Sequence, residues 1–502
     1  SLSEKDFHEF FVRAAPENHF DRSRRRSGKI CSAYCLQYFY QKFMPTIIKK
    51  IFSEKQSFIV GAAIISAGGF ISKLLGAAYR IPLTNILGSE GMGIYQMVYP
   101  LYCILLTVSA SGIPAGVARL ISSGKAQGAE RAAFRLYGFI GAVGAILMYL
   151  LARPLAAAQG EPAVELCCKM LSPAVLFTSV ISVVRGYFQG RHNMIPTAFT
   201  EICEQLIKVL AGVAFAWHFR ANMPLAVAFT LLAVTISEGV SALFAAVLYR
   251  SESAEKKPLY CTGDAGYKEI LRYTVPITFA AIAMPLSQLA ESIVAVNLLR
   301  GVSDGATALY GVFSGCAVTI INLPVSVTYG LAAASVPKIS PKAAAGDERG
   351  ARAEAVRVLL ITLAVSVPFA AVLFAFAPLA AKIIFSSLSA EHSALLVRLV
   401  RIMAVNAVTL SLVQSSSACL TALGTPLKST AVQWITCLLR VALVAVFIKY
   451  LSFLVEGAAV AANIAYFVAA ALNVWYIMRG GRAYEDNVDR LRRRRGRFKP
   501  EG

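Results

Sequence analysis

Long apolar blocks separated by short charged stretches make up most of the chain between Phe58 and Met478. The blocks are 17 to 30 residues long, and a helix rising 1.5 Å per residue needs about 20 residues to cross a hydrocarbon core about 30 Å thick. Strands do not need runs of this length. The pattern predicts twelve transmembrane helices, at about 58–79, 95–120, 134–151, 164–184, 195–217, 225–249, 273–299, 309–335, 356–376, 394–422, 427–450 and 456–478.

Composition supports a membrane protein, since 57% of the 502 residues are apolar and 15% are charged. The net charge of +21 fits the excess of Lys and Arg that cytoplasmic loops carry. With a cytoplasmic N-terminus, seventeen such residues fall in inner loops and seven in outer loops. We therefore expect a multi-pass protein with both termini in the cytoplasm, and no nucleic acid as partner.

The spans divide the chain into five segments. These are a basic N-terminal extension (1–57), a six-helix bundle (58–250), a cytoplasmic linker (251–272), a second six-helix bundle (273–478) and a basic tail (479–502). The basic runs "DRSRRRSGK" and "RLRRRRGRFK" are expected either to contact anionic lipids or to be solvated. The ten cysteines show neither CxxC pairs nor metal-ligand spacing, so no disulfide or metal site is expected.

Internal similarity relates the two bundles. "ARLISSGKAQGAERAAF" from Ala118 resembles "VPKISPKAAAGDERGAR" from Val336, with four identical residues at a constant offset of 218. Six spans per half give both halves the same orientation, as in transporters whose repeats are related by an axis along the membrane normal. The substrate site is then predicted between the halves.

Helix interruptions at matching positions are the next signal. Gly68 and Gly69 lie in the middle of the first span, and Pro285 lies in the seventh, 216 residues after Gly69. Glycine weakens a helix and proline deletes a backbone hydrogen bond, so we predict gating hinges at these three residues. The alternative for the glycines is close helix packing.

Two cations interrupt the first span. Lys73 lies beyond the middle of the membrane, and Arg80 follows two helical turns later on the same face. A charge facing lipid costs roughly 2 to 3 kcal/mol on insertion scales, so this face is expected to line protein or water. We predict substrate contact for both; an interfacial anchor is the alternative for Arg80.

Other polar residues interrupt the later spans. Glu204 and Lys208 share a face of the fifth span, where an intrahelical ion pair is the alternative to substrate contact. Gln288 in the seventh span and Arg401 in the tenth complete the predicted substrate-binding set. Glu291 is the candidate for ion coupling, unless it pairs with a cation of the other half. Arg398, Arg401 and Arg440 are each a possible partner or an interface anchor.

The predicted interior holds more cations than anions, which suits a diphosphate headgroup because Lys and Arg replace the hydration that phosphate loses. The segment "GTPLKST" lacks the glycines of a phosphate loop, so nucleotide hydrolysis is not expected. We expect neither a catalytic residue nor a cofactor. Energy would come from Na⁺, H⁺ or the membrane potential.

Five motifs resemble one family. They are "GSEGMGIYQMVYPLY", "SGIPAGVARLIS", "RGYFQGRHNMIPTAFTEICEQLIKV", "YGVFSGCAVTIINLPVSVTYGLAAASVPKIS" and "ALGTPLKST". Together they resemble the stage V sporulation protein B and lipid II flippase branch of the multidrug/oligosaccharidyl-lipid/polysaccharide exporters. The resemblance implies an all-α exporter fold with two six-helix bundles, and alternating access that flips undecaprenyl-diphosphate-linked sugars for cell-wall or spore-cortex synthesis across the bacterial cell membrane.

The resemblance also implies residue roles. The stretch with Lys73 and Arg80 looks like the basic stretch that contacts the diphosphate, with Arg80 one place from the usual second arginine. Glu291 stands where sporulation-type members usually carry an aspartate. Lipid II flippases have two further helices that form a groove for the lipid tail, whereas this sequence ends after its twelfth span. The tail is therefore held elsewhere, the chain is shortened, or the substrate differs.

The leading hypothesis is a monomeric, non-enzymatic flippase. A cation-coupled multidrug exporter of the same superfamily is the first alternative, and it would need an acidic, aromatic cavity. The second is a membrane glycosyltransferase, which would need catalytic carboxylates on a sizeable outer loop. No predicted outer loop here exceeds about twenty residues.

Overall fold

The computed structural model describes residues 58–122, 129–255, 265–303, 305–451 and 453–496. The predictions for segment 1–57, for residues 256–264 of the linker and for residues 497–502 of the tail therefore lie outside the described residues. Within the described part the chain forms helices and no strand.

Fifteen α-helices and one π-helical segment make up this part of the chain. They are α1 Phe58–Ala110, α2 Ile113–Ser122, α3 Ala129–Gln159, α4 Ala163–Gly190, α5 Ile195–His218, α6 Met223–Glu255, α7 Ala265–Ala281, α8 Ala283–Arg300, α9 Ala306–Tyr310, the π-helix Gly311–Ala317, α10 Val318–Ala344, α11 Glu348–Ala375, α12 Ala377–Ile384, α13 Ala390–Ala422, α14 Pro426–Lys449 and α15 Val455–Gly496.

Each of the twelve predicted spans is helical. Ten segments of the described chain are long and apolar enough to cross a membrane. One of them, Ala63–Ser122, runs through both of the first two predicted spans. The fifth predicted span is the helix α5, which is absent from those ten and contains Glu201, Glu204 and Lys208. The prediction of a multi-pass helical membrane protein is therefore confirmed.

Helix α1 does not break at the predicted glycines. Its one residue with non-helical dihedral angles is Gly88, where φ is 64°. Gly68 instead packs against α5, since a Cβ atom placed on it would lie 2.7 Å from the Ala198 Cβ. Close packing, the alternative reading, thus accounts for Gly68; a hinge at Gly68 and Gly69 stays a prediction.

The seventh predicted span is two helices. Helix α7 ends at Ala281 and α8 begins at Ala283, so the break comes before Pro285. Pro285 is the third residue of α8, where no intrahelical bond needs its missing N–H. A hinge role for Pro285 therefore stays a prediction. The predicted interruption of the seventh span is nevertheless present, three residues before the proline.

The two parts of that span pack in different places. Helix α7 lies against α2 and α3, and the Tyr137 hydroxyl donates to Thr274 Oγ1 at 2.6 Å. Helix α8 packs mainly against α14 and α1. We call α1–α6 the N-terminal half and α8–α15 the C-terminal half, with α7 reaching back to the N-terminal half. The largest buried cluster includes side chains of both halves, such as Met92 and Phe313.

Candidate functional site

Helix α1 lies at the edge of the N-terminal half and also contacts the C-terminal half. On one side Gly68 packs against Ala198 of α5, and on the other the Phe70 ring lies 3.8 Å from the Cβ position of Gly330 on α10.

Lys73 and Arg80 lie on this helix in different surroundings. Lys73 has an exposed side chain and is close enough to Glu201 of α5 for electrostatic attraction. Arg80 is partly buried, and its Nη1 donates to Thr319 Oγ1 of α10 at 3.3 Å. Arg80 thus bridges the two halves, whereas Lys73 remains accessible two helical turns before it.

Beyond Arg80 the halves are joined by a set of contacts that we call the seam. Its hydrogen bonds run from Asn85 Nδ2 to the Ile384 carbonyl (2.8 Å), between Ser89 Oγ and His392 Nδ1 (3.0 Å), from Gln96 Nε2 to the Ser314 carbonyl (2.9 Å), from Gln159 Nε2 to Ser292 Oγ (2.9 Å) and from Asn297 Nδ2 to the Ala158 carbonyl (2.7 Å). All of these residues lie at the end of the spans predicted to face outside.

Backbone packing makes the seam tight. A Cβ atom on Gly311 would lie 1.8 Å from the Ser89 carbonyl oxygen, and one on Gly93 would lie 2.1 Å from the Thr307 carbonyl oxygen. Only glycine permits such an approach of two helices. The structure is therefore closed between the halves at the predicted outer end.

Glu204 and Lys208 are buried, at 8% and 9% exposure. The predicted intrahelical pair is present but long, with Lys208 Nζ 4.0 Å from Glu204 Oε1. The shorter partner is Arg185 of α4, whose Nη2 lies 3.1 Å from Glu204 Oε2. Both predicted residues thus belong to an ion-pair cluster within the N-terminal half, and their contact with substrate stays a prediction.

Glu238 of α6 belongs to the same cluster, and the sequence analysis did not identify it. Its side chain is 3% exposed, and its Oε1 accepts from the Tyr102 hydroxyl at 3.4 Å. Its carboxyl is also within hydrogen-bonding reach of the Glu204 carboxyl. The signal in the sequence was a lone carboxylate in the apolar run "AVTISEGVSALF".

Glu291 is paired within its own half. It is 1% exposed, and its Oε2 lies 2.7 Å from Arg440 Nη2 of α14. Arg440 Nη1 also donates to the Tyr466 hydroxyl at 2.8 Å. The partner is therefore Arg440, one of the three cations proposed from the sequence, and not a cation of the other half, because α8 packs against α14. Ion coupling by Glu291 stays a prediction.

The last two members of the predicted substrate set lie in the C-terminal half. Gln288 is exposed on α8. Arg401 is exposed on α13, and its guanidinium lies 5.9 Å from the ring centre of Phe374 on α11. The structure therefore does not gather the six predicted residues at one point. Arg80 contacts the C-terminal half through Thr319, and Lys73 lies two turns before it on the same helix, near Glu201.

Metal ligation has no candidate among the described residues, where no group of three His, Cys, Asp or Glu side chains converges. The seven described cysteines are free thiols.

Two family models match the chain. The model described as polysaccharide biosynthesis protein matches residues 58–343, and the MatE model matches residues 276–446. Together they span most of the predicted membrane helices.

Two curated relatives from Bacillus subtilis (strain 168) show where the similarity lies. Stage V sporulation protein B is 27% identical over 303 residues, which is 57% of this chain and 58% of the relative. Lipid II flippase MurJ is 26% identical over 257 residues, 45% of this chain and 47% of the relative. The chain thus spans about half the length of these relatives, and the resemblance seen in the motifs is confirmed.

A solved structure extends the comparison to the fold. The inward-facing conformation of a multidrug resistance MATE family transporter of the MOP superfamily matches with a TM-score of 0.69. The match covers 83% of this chain and 96% of that chain at 17% sequence identity. The predicted exporter fold is therefore confirmed.

Proposed function

The chain belongs to the polysaccharide biosynthesis protein family, and from this premise we propose that it is an alternating-access flippase for undecaprenyl-diphosphate-linked sugar precursors. In this proposal the lipid enters from the cytoplasmic leaflet and leaves to the outer leaflet of the bacterial cell membrane, for cell-wall or spore-cortex synthesis. The similarity to a sporulation protein and to a lipid II flippase supports this substrate class.

The observation that carries the proposal is the position of the two cations of α1. Lys73 is accessible and Arg80 contacts the opposite half through Thr319. A diphosphate that enters between the halves would contact Lys73 first and then replace Thr319 as the partner of Arg80. Charge-assisted hydrogen bonds of this kind are worth about 1.5–3 kcal/mol each.

The seam supplies the barrier that alternating access requires. With the seam closed at the predicted outer end, the headgroup can approach only from the opposite side. Displacing Thr319 from Arg80 removes a contact between the halves at the inner margin of the seam. Binding of the diphosphate would thereby favour opening toward the outside.

A reconstituted flipping assay tests the proposal. Proteoliposomes carry lipid II with a fluorescent sugar headgroup, and a membrane-impermeant reductant reports how much label reaches the exposed leaflet. We expect K73Q/R80Q to slow flipping about a hundredfold, since loss of about 3 kcal/mol corresponds to that factor.

The matched control is R220Q/K449Q, which removes the same charge from two exposed sites where the cations lie against Trp217 and Tyr450. It should flip like the unmodified protein. Equal flipping by K73Q/R80Q and the unmodified protein would refute the diphosphate role. Absence of flipping by the unmodified protein, together with transport of an organic cation, would favour the drug exporter.

A further inference from the structure

In the cluster of Glu204 and Glu238, the two nearby cations form close ion pairs with only one of the two carboxylates. Arg185 and Lys208 both lie on Glu204, at 3.1 and 4.0 Å. They act on Glu238 only through longer-range attraction. Glu201 of α5 also lies within electrostatic reach of Glu204 and Arg185, so carboxylates outnumber the two cations, and both close ion pairs belong to Glu204.

Glu238 keeps one polar atom without a donor. Its Oε1 accepts from Tyr102, whereas its Oε2 is buried and accepts from no donor in the described part of the chain. The neighbouring polar group is the Glu204 carboxyl. A buried carboxylate without a partner is costly, and two carboxylates in contact repel each other. A single proton between them removes both penalties by turning repulsion into a hydrogen bond.

The other charged or titratable groups facing Glu238 come from all three helices that pack on α6. Helix α1 presents Tyr102 and Tyr99, α4 presents Arg185 beside Thr178, and α5 presents Glu204 and Lys208. In this surrounding Glu238 is the carboxylate without a close cation. Glu291, by contrast, is already neutralised by Arg440 at 2.7 Å.

We propose that Glu238 and Glu204 form a proton-binding carboxyl pair that couples the proton gradient to the seam. The link is the second part of α1, which carries Tyr102 against Glu238 and Gln96 against Ser314 across the seam. The protonated pair stabilises this part of α1 and hence the closed seam. Loss of the proton restores repulsion and favours opening.

The coupling has a direction that rests on the proposed function. The protonated pair and the closed seam stabilise each other, so a diphosphate that weakens the seam by displacing Thr319 from Arg80 also weakens proton binding by the pair. The proton then leaves to the cytoplasm, and the deprotonated, loaded protein opens outward. After the lipid has left, a proton from outside rejoins the pair and the seam closes. One proton therefore moves inward for each lipid moved outward, the direction in which the gradient of a respiring cell drives it.

Infrared spectroscopy of the purified chain tests the pair without any substrate. A shared proton gives the C=O stretch of a buried carboxylic acid, which is resolved from carboxylate bands and disappears as pH rises. E238Q should remove this band, E238D should shift it, and E291Q should leave it in place. If E238Q and E238D leave the acid bands unchanged, or if the band is lost only in E291Q, the proposal is refuted. If the carboxyl pair held Na⁺ instead of a proton, no acid band would be seen at any pH, and the proposal would also be refuted.

A cysteine pair across the seam tests the coupling. The Asn85 and Ser387 side chains lie 3.2 Å apart, so N85C and S387C in a chain without other cysteines can form a disulfide when the seam is closed. Relative to the same pair in an E238Q background, cross-linking should fall as pH rises. An E165Q background, which changes a partly exposed carboxylate paired with Lys169, should behave like the parent. Identical pH profiles in the parent and E238Q backgrounds would refute the coupling. Because neither readout requires lipid, failure here is distinct from failure of the flipping assay.

Discussion

Two buried glutamates with different surroundings show how neighbours decide the role of a residue. Glu291 has a guanidinium at 2.7 Å, and Glu238 has a tyrosine hydroxyl at 3.4 Å. The first is an ion pair whose desolvation is offset by a close partner. The second is a carboxyl whose charge depends on Glu204. The same residue type in an apolar helix thus supports structure in one half and, by our proposal, proton exchange in the other.

Breaking the Glu291 pair should destabilise the protein. E291Q leaves Arg440 buried without its carboxylate, and removal of one partner from a buried pair costs about 3–5 kcal/mol. We expect a clear drop in the thermal unfolding temperature of the detergent-solubilised protein.

The double variant E291Q/R440Q is the control for this prediction, because it removes both charges and should recover part of the loss. Unchanged stability of E291Q combined with an altered ion dependence of transport would instead make Glu291 the coupling residue.

Residues of the site were predictable where a charge stood out locally. Lys73 and Arg80 interrupt an apolar helix on one face, which is visible in the sequence. Glu238 interrupts α6 equally, but its significance depends on contacts with α1 and α5. Such contacts follow from packing between helices distant in sequence, and no local pattern encodes them.

At the scale of helices, hydropathy located the spans and the break between the first two, but not the break inside the seventh. Gly88 lies between two predicted spans, and two helical parts of α1 meet there at a kink with φ 64°. The seventh span breaks at Ile282, one turn before the proline that suggested a bend. Apolar periodicity reports where a helix can cross a membrane. It does not report which peptide bends, because that depends on the helices packed around it.

The packing of α1 against α5 gives a test at this scale. G68A adds a methyl group 2.7 Å from the Ala198 Cβ and 3.0 Å from its Cα, so the helices must separate. We expect lower thermal stability, with a cost of about 1–3 kcal/mol as for other overpacked contacts.

G138A is the matched control, since nothing lies within 4 Å of the added Cβ and alanine favours the helix more than glycine does. It should leave stability unchanged or raise it slightly. Equal behaviour of the two variants would mean that Gly68 is not a packing residue and would favour the predicted hinge.

At the scale of the molecule, the sequence predicted the all-helical exporter fold. It did not predict that the halves meet through Asn85, Ser89 and Gln96 at one end. Polar residues at span ends look alike whether they face water or another helix. Which end is closed is a property of the assembled conformation, and one sequence serves every conformation of a transport cycle.

A last prediction concerns the side of the membrane on which the seam lies. The excess of Lys and Arg in alternate loops places residues 300–308 outside and the loop before α11 in the cytoplasm. V302C and A345C therefore report opposite sides of the membrane, and both positions are exposed in the structure.

In intact cells that express a chain without other cysteines, a membrane-impermeant maleimide should label V302C and spare A345C until the membrane is permeabilised. This result would place the seam at the outer surface, so that Lys73 is reached from the cytoplasm, as export of a lipid-linked sugar requires. If A345C were labelled in intact cells and V302C spared, the seam would lie at the cytoplasmic surface. The space around Lys73 would then open to the outside in this conformation. The diphosphate would then reach Lys73 first from the outer leaflet, and the direction of transport argued above would be wrong.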